Sequence, residues 1–152
     1  MNIDINSNTY GISSWLSNFT NHNFYFDGVL CRSMEGFLQS LKFEDVELQQ
    51  RVCFLYGDEA KHAGDSSDWK ETQTLFWRGK KYNRDSIEYQ NLITNAYNAL
   101  FLNSSFRALL TRSIGYTLTH SVGNTDKKDT VLTTHEFLGQ LNRLRENLWK
   151  YS

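Results

Sequence analysis

Apolar residues recur at the three- and four-residue spacing of amphipathic helices along most of this chain. The pattern predicts four longer helices, over residues 33–43, 45–56, 85–101 and 133–148. It also predicts three shorter helices: one that Asp58 can cap and Gly64 closes, one that starts near Trp69, and one that Ser104 or Ser105 can cap and that continues through Leu110. Because an amphipathic helix must bury its apolar face against another element, this pattern is typical of a mainly helical domain.

Residues that favour helix ends support these boundaries. Ser33 can cap the first long helix, because a serine hydroxyl accepts a hydrogen bond from the first turn. Residues 85–88 and 133–136 each have the sequence of a capping box. Gly57 and Gly64 are placed to end the helices that precede them.

A smaller part of the chain has the pattern of strands. In residues 23–31, aromatic and branched side chains flank Asp27-Gly28, the dipeptide typical of a type I′ turn, so we expect a short β-hairpin. Residues 117–123 alternate between apolar and polar, as a strand does. Residues 1–12 have little pattern, and we expect a frayed or edge segment there.

Together these elements predict a mainly α fold of the α+β class, with one small hairpin and minor strands. At 152 residues and 17.8 kDa the chain has the size of one domain. No repeat, proline or low-complexity linker marks a boundary inside it. We therefore expect a single compact domain over residues 1–152.

Charge and composition exclude several classes of function. Sixteen basic and seventeen acidic residues give a net charge of −1, so any contact with nucleic acid must be local. The first six residues lack the basic and apolar parts of a signal peptide, and no later segment has the ~20 apolar residues of a membrane span. We expect a cytoplasmic protein without a membrane partner. Cys31 and Cys53 have no CxxC motif or histidine at ligand spacing, so no metal site and no cofactor are predicted.

One predicted helix carries a row of polar residues that differs from an ordinary solvent-facing side. Glu35, Gln39 and Lys42 are spaced at i, i+4 and i+7, and apolar residues flank this row on both sides. This arrangement favours a row that faces a cavity; the alternative is a capped helix with a solvated face. A cap at Ser33 puts Glu35 in the first turn, where the helix dipole favours an ionised carboxylate unless burial outweighs it.

Five short motifs follow one another in a fixed order between residues 15 and 69. They are Trp15-Leu16-Ser17-Asn18-Phe19, Asp27-Gly28, Ser33-x-Glu35-x-x-x-Gln39-x-x-Lys42, Ala60-Lys61-x-x-Gly64 and Asp68-Trp69. This series resembles the YbiA-like, or NADAR, family, whose name refers to NAD and ADP-ribose and whose characterised members are N-glycosidases. The resemblance implies a YbiA-like helical domain. It also implies a substrate that is either ADP-ribose on a nucleobase in nucleic acid or a small ribosylamino metabolite.

The resemblance further implies that the motif residues line one substrate pocket. Glu35 and Lys42 are the predicted catalytic residues. Residues predicted to bind substrate are Ser17, Asn18, Phe19, Gln39, Lys61 and Trp69, together with His120, which lies outside the motif series. His120, on the predicted strand beside a loop, is added from its residue type as a candidate acid or base; the alternative is an ordinary polar residue.

Residues 78–84 form the one dense basic run, with four cationic side chains among seven residues. We expect a solvated loop, since charge runs usually face water. The alternative is a clamp for phosphate, either the diphosphate of ADP-ribose or a polynucleotide backbone. This run favours an ADP-ribosylated nucleic acid as the partner of the protein.

The predicted residues suit the cleavage of an N-glycosidic bond, which leaves positive charge on the sugar and negative charge on the departing base. Glu35 can stabilise the sugar cation or activate a water, and Lys42, Lys61 or His120 can protonate the base. In a second route, an amine whose pKa is lowered by an apolar pocket forms a Schiff base with the sugar. Two other functions stay open: a non-catalytic module that binds ADP-ribose or NAD, and a structural or interaction protein.

Overall fold

The structure, a computed structural model, describes residues 1–151. Within them the chain forms eight α-helices, which are α1 (Ile12–Trp15), α2 (Met34–Ser40), α3 (Val46–Cys53), α4 (Gly57–His62), α5 (Trp69–Thr72), α6 (Ile87–Leu100), α7 (Ser104–Arg112) and α8 (Thr134–Glu146). A 3₁₀ helix at Leu148–Tyr151 follows α8. The six strands are β1 (Asn2–Asp4), β2 (Phe24–Phe26), β3 (Val29–Cys31), β4 (Thr74–Trp77), β5 (Lys80–Asn83) and β6 (Thr117–Thr119).

These elements confirm the predicted mainly α fold with minor β structure. The strands form three separate two-stranded ladders: β2 with β3 and β4 with β5 are antiparallel, and β1 with β6 is parallel. None of the helices in residues 1–151 has both the length and the apolar character needed to cross a bilayer.

The first hairpin has the turn that its sequence predicts. Phe24 pairs with Cys31 and Phe26 with Val29. Both turn residues have positive φ angles, 51° at Asp27 and 77° at Gly28, as a type I′ turn requires. The hairpin leads directly into Ser33 and α2.

The N-terminal residues form an edge strand, which is one of the two expected alternatives. β1 lies parallel to β6, with Ile3 opposite Leu118, and the backbone N–H of Ile5 continues the ladder to the carbonyl of Thr119. Ile3 and Ile5 are buried in the core. Their two apolar side chains therefore anchor a segment whose other residues are mostly polar.

The core forms between α2, α6 and the elements that cover them. The fully buried side chains of α2 include Phe37, and those of α6 include Tyr89, Ile93 and Tyr97. Trp77 of β4 packs edge-on against Phe37, with ring centroids 5.0 Å apart. The apolar sides of α2 are thus held in the core, which leaves its polar row only one direction to face.

The segment after α3 differs from its prediction. We expected α3 to continue to Tyr56, Gly57 to end it and Asp58 to cap the next helix; instead α3 ends at Cys53, and α4 begins at Gly57 after Tyr56 as its N-cap. The prediction was wrong because a contact between residues far apart in sequence decides the path of residues 54–56. Ser33 Oγ donates a hydrogen bond of 2.8 Å to the carbonyl of Leu55, which draws residues 54–56 onto the start of α2.

Among the last three helices, the predicted cap of α8 is confirmed, whereas the predicted caps of α6 and α7 are wrong. Thr133 and Glu136 form the capping box that the sequence predicts for α8. At α6 the N-cap is Ser86, and Asp85 instead pairs with Lys127 at 2.6 Å. Asn103, and neither Ser104 nor Ser105, caps α7.

The basic run is the second hairpin rather than the expected loop. Its first two residues, Arg78 and Gly79, form the turn with positive φ angles of 49° and 90°. Lys80 and Lys81 continue into β5, and Arg84 is fully buried. A solvated loop was expected because charge runs usually face water, and the two strands, of four residues each, are too short to show a clear alternation.

Candidate functional site

One cavity of about 480 Å³ lies against the polar row of α2. All nine residues predicted for the site contribute to its wall, although they come from well-separated segments of the chain. They are Ser17, Asn18, Phe19, Glu35, Gln39, Lys42, Lys61, Trp69 and His120. A volume of this size falls in the range of small-ligand sites.

The start of α2 fixes the position of Glu35. Ser33 caps the helix, accepting a hydrogen bond of 2.9 Å at Oγ from the N–H of Gly36. The N–H of Glu35, which has no partner inside the helix, donates instead to the carbonyl of Asn18 over 3.0 Å. The cap and this hydrogen bond join the loop at residues 17–19 to the first turn of α2.

Gly36 lets residues 52–55 pack directly against this first turn. A Cβ atom built on Gly36 would lie 2.7 Å from the carbonyl oxygen of Leu55 and 2.9 Å from that of Val52. Because both neighbours are backbone atoms, no side chain can move aside. Only glycine fits at this position.

Glu35 is a partly buried carboxyl group with one hydrogen-bond donor on it. Gln39 Nε2 donates to Glu35 Oε1 over 2.9 Å. Burial raises the pKa of Glu35; the hydrogen bond from Gln39 and the nearby charges of Lys42 and Lys61 oppose the shift without reversing it. Burial therefore acts on Glu35 in the direction opposite to that expected for the helix dipole, as the exception in the prediction allows.

Lys42 follows the end of α2 and is also partly buried. Burial lowers the pKa of Lys42, while the charges of Glu35 and Asp65 oppose this shift. The cavity thus favours the uncharged forms of both an acid and an amine on the same wall. Two groups whose pKa values move toward each other in this way are suited to exchange protons.

Gln39, between them, has an acceptor with no partner. Its side chain is only 6% exposed, and its Oε1 atom has no hydrogen-bond partner in residues 1–151. Since Nε2 is already donating to Glu35, the amide cannot turn over without losing that bond. A buried carbonyl without a partner is costly, and a ligand with an N–H or O–H group would satisfy it.

Gly64 has a different role from the predicted one of ending a helix. α4 ends at His62 with Ala63 as its cap, so Gly64 lies beyond the helix. A Cβ atom at Gly64 would lie 2.3 Å from Gln39 Oε1 and 2.4 Å from Lys42 Cδ. The Ala60-Lys61-x-x-Gly64 motif therefore supplies the space in which these two side chains lie.

The loop at residues 17–19 forms another part of the wall. Ser17 Oγ accepts a hydrogen bond from the N–H of Phe19, and the Tyr97 hydroxyl donates to Asn18 Oδ1 over 2.9 Å. The amide of Asn18 is thereby oriented, which leaves its NH₂ group available as a donor. Lys61 Nζ lies 5.7 Å from the centre of the Phe19 ring, so its charge is held at the rim of the cavity.

His120 presents one defined nitrogen to the cavity. Its Nδ1 lies 2.7 Å from the carbonyl of Ile5, and since a carbonyl can only accept, Nδ1 carries a proton. Nε2 is then an acceptor in the neutral ring and a donor in the cation. Phe137 holds the ring edge-on, with centroids 5.0 Å apart. Trp69 is 3% exposed, which suits a wall better than an open stacking platform.

Residues 129–132 form a wall that the sequence analysis missed. Arg84 Nε donates to the carbonyl of Thr130 over 3.0 Å, and the Tyr89 hydroxyl donates to that of Val131 over 2.6 Å. Arg84 is also paired with Glu136 through two hydrogen bonds, of 2.6 and 3.1 Å. Burial raises the pKa of Glu136, but the hydrogen bonds from Arg84, Thr133 and Gln90 outweigh it and lower the pKa to about 2.

The basic hairpin does not contribute to this wall. None of residues 78–84 lines the cavity, although all of them are described. In the same described part of the chain, no three His, Cys, Asp or Glu side chains are grouped to hold a metal ion. The cations that do line the cavity besides Lys42 are Lys61 and Lys70, both of which are exposed.

Comparisons by sequence find a family model and a relative that this chain is similar to. The family model described as Bacteriophage protein GP30.3 matches residues 10–146. The chain is 41% identical over 149 residues to an uncharacterized 17.1 kDa protein of the Gp30-rIII intergenic region of Enterobacteria phage T4. That match covers 96% of this chain and 98% of the phage T4 protein.

The fold is also that of a solved protein. The NMR structure of the E. coli protein YbiA matches with a TM-score of 0.60 at 20% sequence identity, covering 99% of this chain and 88% of YbiA. This likeness confirms the predicted YbiA-like, or NADAR, resemblance at the level of the fold.

Proposed function

The chain belongs to the Bacteriophage protein GP30.3 family and has the YbiA fold, and from this premise we propose that it is an N-glycosidase acting on a ribosylated base. The proposed substrate is ADP-ribose attached to a nucleobase, guanine, in nucleic acid. A ribosylaminopyrimidine phosphate is the second substrate class that the NADAR resemblance implies. The observation that carries the proposal is that Glu35 and Lys42 line one cavity of about 480 Å³.

The directions of the pKa shifts of these two groups suit the reaction. The departing base gains an electron pair and needs a proton, and a carboxyl group with a raised pKa keeps its proton to a higher pH than an ordinary one and can donate it. The sugar carbon C1′ becomes electron-poor and needs a nucleophile, and an amine with a lowered pKa is nucleophilic in its neutral form. Both shifts arise from burial in the same wall.

In the lysine route, Nζ of Lys42 forms a bond to C1′ while the bond from C1′ to the base breaks. The electron pair leaves with the base, which takes a proton from Glu35. The ring then opens: an iminium forms between Nζ and C1′, and one proton of Nζ passes to the ring oxygen. Water adds to C1′ and gives a proton to Glu35. The bond from C1′ to Nζ then breaks as Nζ takes the proton of the new C1′ hydroxyl, which leaves the open-chain sugar aldehyde and returns both side chains to their starting states.

In the direct route, water takes the place of the amine. Glu35 acts as a carboxylate and accepts a proton from the water that attacks C1′, while Lys42 or His120 gives a proton to the base. Both routes release the same free base and the same sugar. The lysine route draws on both pKa shifts, and for that reason it is the one we favour.

The remaining polar groups of the cavity match parts of the proposed substrate. The unpartnered Oε1 of Gln39 can accept from a ribose hydroxyl or from an amino group of the base. Lys61 and Lys70 at the rim carry the positive charge that a phosphate or diphosphate needs. Both proposed substrate classes carry such groups.

The experiment is product analysis after incubation with two substrates, guanine-ADP-ribosylated DNA and a ribosylaminopyrimidine phosphate. We expect free guanine-containing DNA and ADP-ribose from the first. Release of product only from the second would assign the smaller substrate class. Stabilisation of the protein by ADP-ribose, with no product from either substrate, would instead support the alternative of a non-catalytic binding module.

A further inference from the structure

Arg32 lies between two aromatic rings on the surface, just before the cap of α2. Its Cζ atom is 4.8 Å from the centre of the Phe54 ring and 4.8 Å from that of Tyr56. The two rings are about half exposed, at 50% and 47%. Arg32 has no ion-pair partner in residues 1–151. A guanidinium is therefore held in place by rings while its charge is not neutralised by the protein.

This arrangement continues to the cavity. The N–H of Gly57, next to Tyr56, donates to the carbonyl of Phe19 over 3.0 Å, and Phe19 lines the cavity beneath Lys61. Arg32 also precedes Glu35 by three residues, so their Cα atoms are at most about 11 Å apart. We call this surface the aromatic strip, and it consists of Lys61, Phe19, Tyr56, Arg32 and Phe54.

We propose that the aromatic strip binds single-stranded nucleic acid beside the modified base. Arg32 contacts a backbone phosphate, and the exposed faces of Phe54 and Tyr56 stack on neighbouring bases. Alternating cations and aromatic rings are the feature by which proteins hold single strands, because every base has a face that can stack. A guanidinium fixed in a plane is suited to two parallel hydrogen bonds to phosphate.

The chemistry of the strip favours a single strand over a duplex. In a duplex the base faces are covered by their neighbours, so half-exposed rings have nothing to stack on. Charge complementarity favours a nucleic-acid backbone in general, because Arg32 and Lys61 form no ion pair in the described part of the chain. An overall charge of −1 means that attraction for a polyanion must come from such a local surface.

The test measures binding of a fluorescent, unmodified single-stranded oligonucleotide to the parent protein and to Arg32→Gln. The unmodified strand is used because the proposal rests on the nucleic-acid form of the proposed function, and strand binding can then succeed or fail independently of base release. The matched control is Arg112→Gln, because Arg112 lies 5.8 Å over the ring of Trp15, which is 47% exposed. It removes the same charge from the same kind of contact outside the strip.

We expect Arg32→Gln to weaken binding about tenfold, and Arg112→Gln to bind like the parent. The slope of log affinity against log salt should fall by about 0.7 in Arg32→Gln, which corresponds to one lost phosphate contact. Phe54→Leu, which keeps an apolar side chain but removes the ring, is a second variant and should also weaken binding. Melting curves of each variant check that it is folded.

Three results would overturn the proposal: no binding of the strand by the parent protein, an equal loss of affinity in both arginine variants, or parent-like binding by both Arg32→Gln and Phe54→Leu. Titration with free ADP-ribose can give a fourth contradicting result. If Arg32→Gln loses ADP-ribose affinity as strongly as strand affinity, Arg32 contacts the phosphates of the substrate itself and the strip is not a strand site.

Discussion

The side-chain amide of Gln39 donates a hydrogen bond of 2.9 Å to Oε1 of Glu35, and this bond fixes the orientation of both groups. It leaves Oε1 of Gln39 as a buried acceptor with no partner in the described chain. The pKa of Glu35 stays raised, because this bond and the charges of Lys42 and Lys61 do not offset the effect of burial. Both features cost free energy, and a bound ligand can relieve them.

Glu35→Gln should raise the stability of the protein near neutral pH. Since the folded pKa of Glu35 is raised from the ordinary 4.5, its favourable contribution is present below about 4.5 and is lost as pH rises through the folded value. At pH values above the ordinary pKa of 4.5, Glu35 therefore destabilises the fold, because burial opposes its ionisation. Replacing it should raise the melting temperature by about 2–4 °C. The difference should shrink as pH falls toward 5 in melting curves.

The matched control for that change is Glu88→Gln, since Glu88 is also in the first turn of a helix but is exposed. Glu88→Gln should show no pH-dependent gain in melting temperature over the parent. Equal behaviour of the two variants would mean that Glu35 is not buried as described.

Lys42 should be the residue that forms a covalent adduct if the lysine route operates. Borohydride reduction during turnover should attach the sugar to Lys42, because burial lowers the pKa of this amine, whereas Lys61 is exposed. The rate of trapping should fall as pH drops through the folded pKa of Lys42, which lies below the ordinary 10.5. Mass spectrometry of the labelled peptide identifies the site. Turnover without any labelled lysine would favour the direct route.

Gly64→Ala should disturb the site more than the fold. The new Cβ atom meets Gln39 Oε1 at 2.3 Å and Lys42 Cδ at 2.4 Å, and both are atoms of side chains that can move away. We expect a loss of stability of about 1 kcal/mol and at least a tenfold loss of activity, because small displacements of positioned groups are costly in catalysis. Denaturant unfolding and product release measure the two effects.

The control for Gly64→Ala is Gly139→Ala in α8, where a new Cβ atom meets nothing within 4 Å. This substitution should raise stability by up to about 1 kcal/mol through helix propensity and leave activity unchanged. Activity that survives in Gly64→Ala would contradict the positions of Gln39 and Lys42.

The local features of this fold could be predicted from the sequence, and the features that depend on distant contacts could not. The turn at Asp27-Gly28 and the cap at Ser33 need only neighbouring residues, and both are observed. The end of α3 was misplaced because Ser33 bonds to Leu55, 22 residues away. The second hairpin was missed because two four-residue strands give too short an alternation to recognise.

The candidate site shows the same division. The row of Glu35, Gln39 and Lys42 follows from helical spacing, and the other predicted residues came from the motif series. The wall at residues 129–132 could not be predicted, since it depends on Arg84, which the sequence presented as part of a charge run. Its carbonyl and carboxylate partners are 46 and 52 residues away. Nothing local distinguishes such an arginine from a solvated one.

The ion pair of Arg84 and Glu136 should contribute strongly to the stability of the wall at residues 129–132. Arg84→Met leaves a partly buried carboxylate without its partner, so we expect a loss of about 3–5 kcal/mol. The Glu136 carboxylate should also make the stability of the fold depend on pH in the acid range. Since its pKa is lowered from 4.5 to about 2, its contribution is present above about 4.5 and is lost as pH falls toward 2. The shift corresponds to about 3 kcal/mol.

Urea unfolding of the parent and of Glu136→Gln between about pH 5 and 2 measures this contribution. The parent should lose stability over that range more steeply than the variant does. Parallel curves would mean that the carboxylate of Glu136 is not held by Arg84.

The most direct test of the central claim is the release of free base from a ribosylated substrate by the parent and by Glu35→Gln, measured in single-turnover reactions with excess protein. If Glu35 and Lys42 act on one sugar carbon, the variant should release base at least about a hundredfold more slowly. It should still be stabilised by ADP-ribose in melting curves. Equal rates of release from the two proteins would contradict the assignment of Glu35 and, with it, the proposed active site.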